Sequence, residues 1–95
     1  MNDSIQLILF RPNKHLRPLR PGERVYRGVI LTAGQQRVLK MLCDGRSIKE
    51  TATEMGIATR TVEQVRTELR RKLDVQGLAA MVKWAAMSGF LKGAS

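Results

Sequence analysis

The stretch SIKETATEMGIATRTVEQVRTELRRKL, residues 47–73, predicts two helices joined by a short turn. Ser47 is followed three residues later by Glu50, and this capping-box pattern starts the first helix. Gly56 ends that helix, because glycine accepts the left-handed backbone of a helix stop. The second helix then begins near residue 59 and holds most of the candidate functional residues.

The second helix has two different faces. Ala58 or Thr59 caps it, and threonine is the better cap. At about 100° per residue, one face is apolar and consists of Val62, Val65, Leu69 and Leu73. The opposite face consists of Arg60, Gln64, Thr67 and Arg71. Such side chains can contact base edges and phosphates in a DNA major groove, although a solvated surface helix can also be basic.

The charge of the chain favours a polyanionic partner. The 95 residues form one small domain, with a formal net charge of +9 from 17 basic and 8 acidic side chains. Residues 1–30 contribute +4 (six basic, two acidic) and residues 31–95 contribute +5 (eleven basic, six acidic). The excess is therefore spread along the chain, as expected for counterion release and steering on a nucleic acid.

Several other classes of function lack the residues they need. Cys43 and His15 are the only cysteine and histidine, so we expect no internal disulfide, no metal site, no cofactor and no catalytic triad. Cys43 is interpreted as a small buried apolar residue. The apolar run Leu7–Phe10 is too short for a membrane span or a signal segment. We expect a cytoplasmic, non-enzymatic protein.

The first thirty residues leave three interpretations open. The segments 4–10 and 24–31 are rich in strand-forming residues, and the intervening segment holds all three prolines. They could form a hairpin with a long basic loop, an arm that contacts DNA, or a solvated linker. The cations available to an arm are Arg11, Lys14, Arg17, Arg20 and Arg24.

Two more helices flank the central stretch. Thr32 and Gln35 form a second capping box, and that helix runs to about Asp44 before Gly45. The last helix spans about 76–88 and is apolar on two sides. The side expected to pack on the domain consists of Leu78, Val82 and Ala85. The opposite side consists of Ala80, Trp84 and Met87, which predicts a dimer interface centred on Trp84 unless that residue packs under the N-terminal segment.

Residues 31–75, with the last helix to about Leu91, resemble the LuxR-type (GerE-like) helix-turn-helix domain of bacterial transcription regulators. The matching positions are Leu31, Thr32, Val38, Leu39, Gly45, Ser47, Lys49, Glu50, Ala52, Gly56, Ile57, Thr61, Val62, Lys72, Leu73 and Val75. The resemblance implies a four-helix fold, so we expect an all-α domain over residues 31–95. The extended or β-hairpin segment expected from the residue types of 1–30 precedes it. The resemblance also implies that helix 59–73 enters the major groove and that the last helix forms a symmetric dimer.

The resemblance also assigns roles to individual positions. Phosphate contacts at the start of helix 48–55 fall on Ser47 and Lys49. Backbone contacts at the start of the reading helix fall on Thr59, Arg60 and Thr61. Base-facing positions fall on Glu63, Gln64 and Thr67, and phosphate contacts on either strand fall on Arg66, Arg70 and Arg71. Lys72 is expected to pair with Glu50 in a structural role.

Some positions depart from the family pattern. Ala33, Gly34 and Gln35 replace the usual Pro-Arg-Glu, and Ala58 replaces a serine at the cap. Glu63 stands where a lysine is common, and a carboxylate there either accepts from a cytosine amino group or weakens binding.

Together these features predict a homodimeric, sequence-specific transcription regulator that binds double-stranded DNA, with RNA polymerase as a further contact. The alternative is a protein-binding helix-turn-helix module that acts on another regulator or on RNA polymerase, including a role like that of a sigma-factor region. Glu63 and the unusual N-terminal segment favour the alternative.

Overall fold

The computed structural model describes residues 18–93, which form a two-stranded antiparallel hairpin followed by five helices. The strands are β1 (Arg24–Tyr26) and β2 (Val29–Leu31). The helices are α1 (Ala33–Cys43), α2 (Ile48–Met55), α3 (Thr59–Leu73), α4 (Leu78–Met87) and α5 (Phe90–Gly93). This confirms the predicted helical class with a short N-terminal hairpin, whereas the sequence did not indicate the four-residue α5.

Both predicted capping boxes are present. Thr32 Oγ1 accepts a hydrogen bond from the Gln35 backbone N–H at 3.0 Å, and Gln35 Oε1 accepts one from the Thr32 N–H at 3.0 Å. Ser47 and Glu50 make the same reciprocal pair at 3.0 and 2.8 Å. The hydrogen bond from the Ser47 backbone lowers the pKa of Glu50 below its ordinary value. Gly56 ends α2 in the left-handed conformation at φ 69°.

The cap of α3 differs from the preferred prediction. Ala58 occupies the cap position at φ −73° and ψ 149°, and it makes no side-chain hydrogen bond. Thr59 is the first helical residue. The left-handed stop at Gly56 lets the Ile57 N–H return to the Ala52 carbonyl at 3.0 Å, and the next residue then takes the extended backbone that a cap requires.

The hairpin lies within residues 24–31, which the sequence suggested as a single strand. Arg27 and Gly28 form its two-residue loop, with positive φ at both positions (53° and 79°), as in a type I′ turn. Tyr26 pairs with Val29 on either side of the loop. The expected pairing with residues 4–10, and most of the proposed basic arm, lie outside the described residues.

The core is built from apolar side chains of β2 and all five helices. The buried members are Leu31, Val38, Leu39, Leu42, Ala52, Val62, Leu69, Leu73, Met81, Ala85 and Phe90. Tyr26 packs edge-on against Phe90, with ring centroids 5.2 Å apart and an interplanar angle of 77°. The hairpin and the C-terminal end of the described chain therefore cover the same side of the core.

One polar network joins elements that are distant in sequence. Lys72 Nζ donates to the Ile30 carbonyl at 2.7 Å and to Gln35 Oε1 at 2.9 Å. Gln35 Nε2 donates in turn to Glu68 Oε1 at 3.3 Å. The predicted pairing of Lys72 with Glu50 is wrong, because the Glu50 carboxylate is occupied in the cap of α2 and Lys72 faces β2 and α1.

The buried side of α4 also differs from the prediction. Met81 is 1% exposed and Ala85 is fully buried, whereas Leu78 in the first turn is 53% exposed. Val82 is only partly buried. Burial follows Met81 and Ala85, which are four residues apart and therefore share one side of the helix.

We expect Thr51→Val to stabilise the domain. Thr51 is fully buried, and its Oγ1 has no hydrogen-bond partner among the described residues. Because an unsatisfied buried polar group costs about 1–3 kcal/mol, replacing the hydroxyl with a methyl group should raise the free energy of unfolding by about 0.5–2 kcal/mol. Urea unfolding at fixed protein concentration measures the change.

The matched control is Thr53→Val on the exposed side of the same helix, which should change stability by less than about 0.5 kcal/mol. A loss of stability in Thr51→Val would contradict the prediction and show that the hydroxyl has a bonded partner in solution.

Candidate nucleic-acid interface

The helix α3 is held in place by its apolar side. Val62 and Leu69 are fully buried and Leu73 is 5% exposed, so three turns of the helix are anchored in the core. Val65 is partly buried beside them. Fixing one side of an amphipathic helix in this way leaves its opposite side directed into solvent.

The exposed side of α3 forms a shallow groove of about 560 Å³. The residues that line it are Arg60, Glu63, Gln64, Thr67, Glu68 and Arg71. Five of these six are predicted DNA contacts, which the structure brings together on one surface. Glu68 is the sixth, and the prediction omitted it although its place four residues after Gln64 puts it next to that side chain.

A second exposed cluster lies on α2. It includes Lys49, together with Arg46, Glu50, Thr53 and Glu54. Arg46 forms an exposed ion pair with Glu54. Ser47 Oγ accepts the capping hydrogen bond from Glu50 N–H, so its own hydroxyl hydrogen can still be donated to an external acceptor such as a phosphate.

The remaining predicted contacts are distributed around α3. Thr59, Thr61 and Arg70 are exposed but do not line the groove. Arg66 is half-buried, and its Nε is buried without a hydrogen-bond partner among the described residues. At about 100° per residue, Arg66 lies only about 40° from the buried Val62, so it faces the domain more than the groove.

The described residues offer little else for chemistry. Burial, and then the neighbouring Asp44, raise the pKa of the Cys43 thiol, so this side chain stays protonated near neutral pH. Within residues 18–93 no group of three or more acidic, histidine or cysteine residues is placed to hold a metal ion. None of the described helices combines the length and apolarity needed to cross a membrane.

The match to a family model decides the relationship. Residues 29–85 match the model described as bacterial regulatory proteins, luxR family. The chain belongs to the LuxR family of regulatory proteins. This confirms the resemblance based on the helical caps and glycines, and the chain thus carries a LuxR-type DNA-binding domain of a transcriptional regulator. The family is a class of regulators and not a class of enzymes.

Individual relatives agree with the family assignment. The transcriptional regulatory protein MctR of Rhizobium johnstonii is 35% identical over 71 residues, which cover 74% of this chain and 33% of MctR. The Vibrio cholerae VqmA dimer, a LuxR-type receptor solved in the absence of its target DNA, is 29% identical with a TM-score of 0.64. The match covers 78% of this chain and 38% of that one.

A second solved structure, VqmA bound to DPO, is 33% identical with a TM-score of 0.61. It covers 63% of this chain and 30% of the VqmA chain. The present chain therefore spans only about a third of the length of the relatives it matches.

We expect Ala58→Ser to stabilise α3. Ala58 holds the cap position with cap-like backbone angles but supplies no side-chain acceptor for the first free N–H groups of the helix. A serine there should add about 0.5–2 kcal/mol to the free energy of unfolding. Thermal and urea unfolding measure the gain.

The matched control is Ala58→Gly, which lacks an acceptor side chain and should gain a few tenths of a kcal/mol less than serine. An Ala58→Ser protein no more stable than the wild type would contradict the assignment of Ala58 as the cap.

Proposed function

We propose that this chain is a sequence-specific transcription regulator that binds double-stranded DNA as a homodimer and reads the major groove with α3. The observation that carries the proposal is the exposed groove on α3, where Arg, Gln, Thr and Glu side chains stand together while the opposite side of the helix is fixed in the core. A rigid helix with such a surface fits the width of the major groove.

The positions along α3 suggest a division of roles. Gln64 and Thr67 lie in the middle of the groove-facing surface, where base edges would be reached. Arg60 and Arg71 lie towards its two ends and are suited to phosphates on opposite strands. Lys49 and the Ser47 hydroxyl at the start of α2 add phosphate contacts on one side. The exposed Thr59, Thr61 and Arg70 are further phosphate contacts in this proposal, whereas Arg66, which was also predicted as one, faces the domain.

Two carboxylates, Glu63 and Glu68, line the same groove. Both would repel phosphates, so they lower the sequence-independent affinity. A carboxylate can instead accept a hydrogen bond from the N4 amino group of cytosine. We therefore place Glu63 against a base pair that contains cytosine, and Glu68 has less freedom because it also accepts from Gln35.

The dimer is proposed to form through α4. Ala80 is exposed and Met87 is 55% exposed on the side of the helix where Trp84 lies. Trp84 is partly buried against its own core, and the rest of its surface remains available to a partner. A large aromatic residue between two exposed apolar residues is typical of an interface anchor. VqmA is described as a dimer, which supports a dimeric state here.

We expect Gln64→Ala and Thr67→Ala to change base preference, and Arg71→Ala to weaken binding to all sequences alike. A duplex selected from a random DNA library serves as the probe, and gel shifts are measured at 50 and 200 mM salt. A lost base contact costs about 1–3 kcal/mol at one position of the site, whereas a lost phosphate contact lowers the salt slope by about one.

The wild-type affinity should fall about 10³–10⁵-fold between the two salt concentrations if the dimer neutralises about 6–10 phosphates. Lys83→Ala removes an exposed charge from α4 and is the control. A flat salt response, or variants of Gln64 and Thr67 with unchanged base preference, would contradict the proposed reading surface.

We expect Trp84→Arg to produce a folded monomer. Placing a charge in the centre of the α4 interface should prevent self-association, because a buried unpaired charge is costly. Analytical ultracentrifugation gives the mass, and circular dichroism checks the helical content. On DNA, the wild-type dimer should occupy an inverted repeat with half-sites about one helical turn apart.

A monomeric wild type on its DNA site would overturn the dimer. A Trp84→Arg protein that loses its helical signal would show that Trp84 acts mainly in the core. Ala86→Arg, on an exposed position of the same helix, controls for the charge itself.

A further inference from the structure

A cleft of about 480 Å³ lies between the hairpin and the solvent side of α1. The lining residues that matter to its chemistry are Arg24, Tyr26, Arg37, Lys40, Met41 and Phe90. None of them belongs to α2 or α3, and only Arg24 belongs to the basic arm considered for DNA binding. The cleft is therefore separate from the groove that we assign to DNA.

The cleft combines an apolar interior with a basic rim. Phe90 is 2% exposed and lies deepest, with Tyr26 packed edge-on against it and Met41 partly buried nearby. Arg24 and Arg37 are exposed, and neither forms an ion pair with any of the described residues. Lys40 also lines the cleft, but its Nζ forms an ion pair with Asp44 Oδ2 at 3.1 Å.

Hydrogen bonds fix the walls of the cleft relative to one another. Gln36 Nε2 donates to the Gly22 carbonyl at 2.8 Å and to the Leu31 carbonyl at 2.9 Å, which fixes the segment before β1 and the end of β2 against α1. The Glu23 N–H closes a turn to the Arg20 carbonyl at 3.0 Å, with Gly22 at φ 85°. A preformed cleft of this kind loses little conformational freedom when it is occupied.

We propose that this cleft binds an acidic peptide segment that carries an aromatic or aliphatic anchor side chain. The anchor would contact Tyr26, Met41 and Phe90, and the adaptable thioether of Met41 suits such a contact. Carboxylates beside the anchor would pair with the guanidinium groups of Arg24 and Arg37, which can bind a carboxylate with two parallel hydrogen bonds.

The same features argue against a nucleic-acid ligand at this place. A phosphodiester backbone would satisfy the rim but leaves the apolar interior unfilled, and the volume lies in the range of about 300–1,000 Å³ that is usual for ligand sites. The inference does not depend on the proposed DNA-binding function, because the two surfaces share no residue.

The experiment begins with a random twelve-residue peptide library displayed on phage and selected on the full chain. Selected peptides should share acidic residues within a few positions of Phe, Trp, Leu or Met. Fluorescence anisotropy of the most enriched peptide should then show binding about tenfold weaker when its anchor is replaced by alanine. Replacing its Asp and Glu by Asn and Gln should weaken binding by a similar factor.

Matched protein variants place the peptide on the chain. Arg37→Gln and Met41→Gln should each weaken binding about three- to tenfold. Lys83→Gln and Leu78→Gln remove one exposed charge and one exposed apolar side chain from α4, and neither should change binding. The Arg37 and Met41 variants should keep the helical signal of the wild type, because neither side chain is buried in the core.

Three results would overturn the inference. The first is a selection that yields no shared acidic and apolar motif, and the second is unchanged peptide affinity in both cleft variants. The third is displacement of the peptide by a random-sequence DNA duplex added at the same total concentration of negative charge. The third result would assign the rim to nucleic acid instead. The changed base preference expected of the Gln64 and Thr67 variants should leave peptide binding intact, so the two functions can fail separately.

Discussion

The anchoring of the apolar side of α3 in the core, with the Lys72 ammonium group bonded to β2 and α1, is the constraint on which the reading surface depends. The bonds of Lys72 to the Ile30 carbonyl and Gln35 Oε1 span 42 and 37 residues of sequence, and they join the last turn of α3 to both elements. Charge-assisted hydrogen bonds are stronger than neutral ones. With Val62 and Leu69 buried along the same helix, this contact fixes both the position and the rotation of α3.

The rotation of α3 determines which side chains can reach a ligand. Once its apolar side is anchored, Gln64 and Thr67 must face solvent, because they lie nearly opposite Val62 on a helix of 3.6 residues per turn. Gln35 carries no charge, so Lys72 is held here by an amide oxygen. The nearest acidic partner of that amide is Glu68, which itself lines the groove. Glu68 therefore connects the residues that hold α3 in place with the residues that line its groove.

The hairpin gives this domain a second surface. Tyr26 packs edge-on against Phe90, and Gln36 donates hydrogen bonds to the carbonyl groups at both ends of the hairpin region. The walls of the cleft beside α1 are therefore fixed by contacts within the folded domain. An apolar interior under a rim of guanidinium groups suits a protein ligand, whereas the flat and polar groove on α3 suits DNA. The two proposed ligands, DNA and an acidic peptide, would therefore bind on different sides of the domain.

Local sequence specifies the features that depend on neighbours within four residues. The two capping boxes, the glycine stops and the opposite faces of α3 follow from local hydrogen bonds and helical spacing, and the family follows from their order. The partner of Lys72 and the burial of Met81 in place of Leu78 were set by long-range packing. These outcomes depend on which elements meet across 30 or more residues of chain, and no local pattern encodes that meeting. The two-residue turn at Arg27 and Gly28 is a local feature, yet the sequence did not predict it. The reason is that arginine is not a residue typical of a turn position with positive φ.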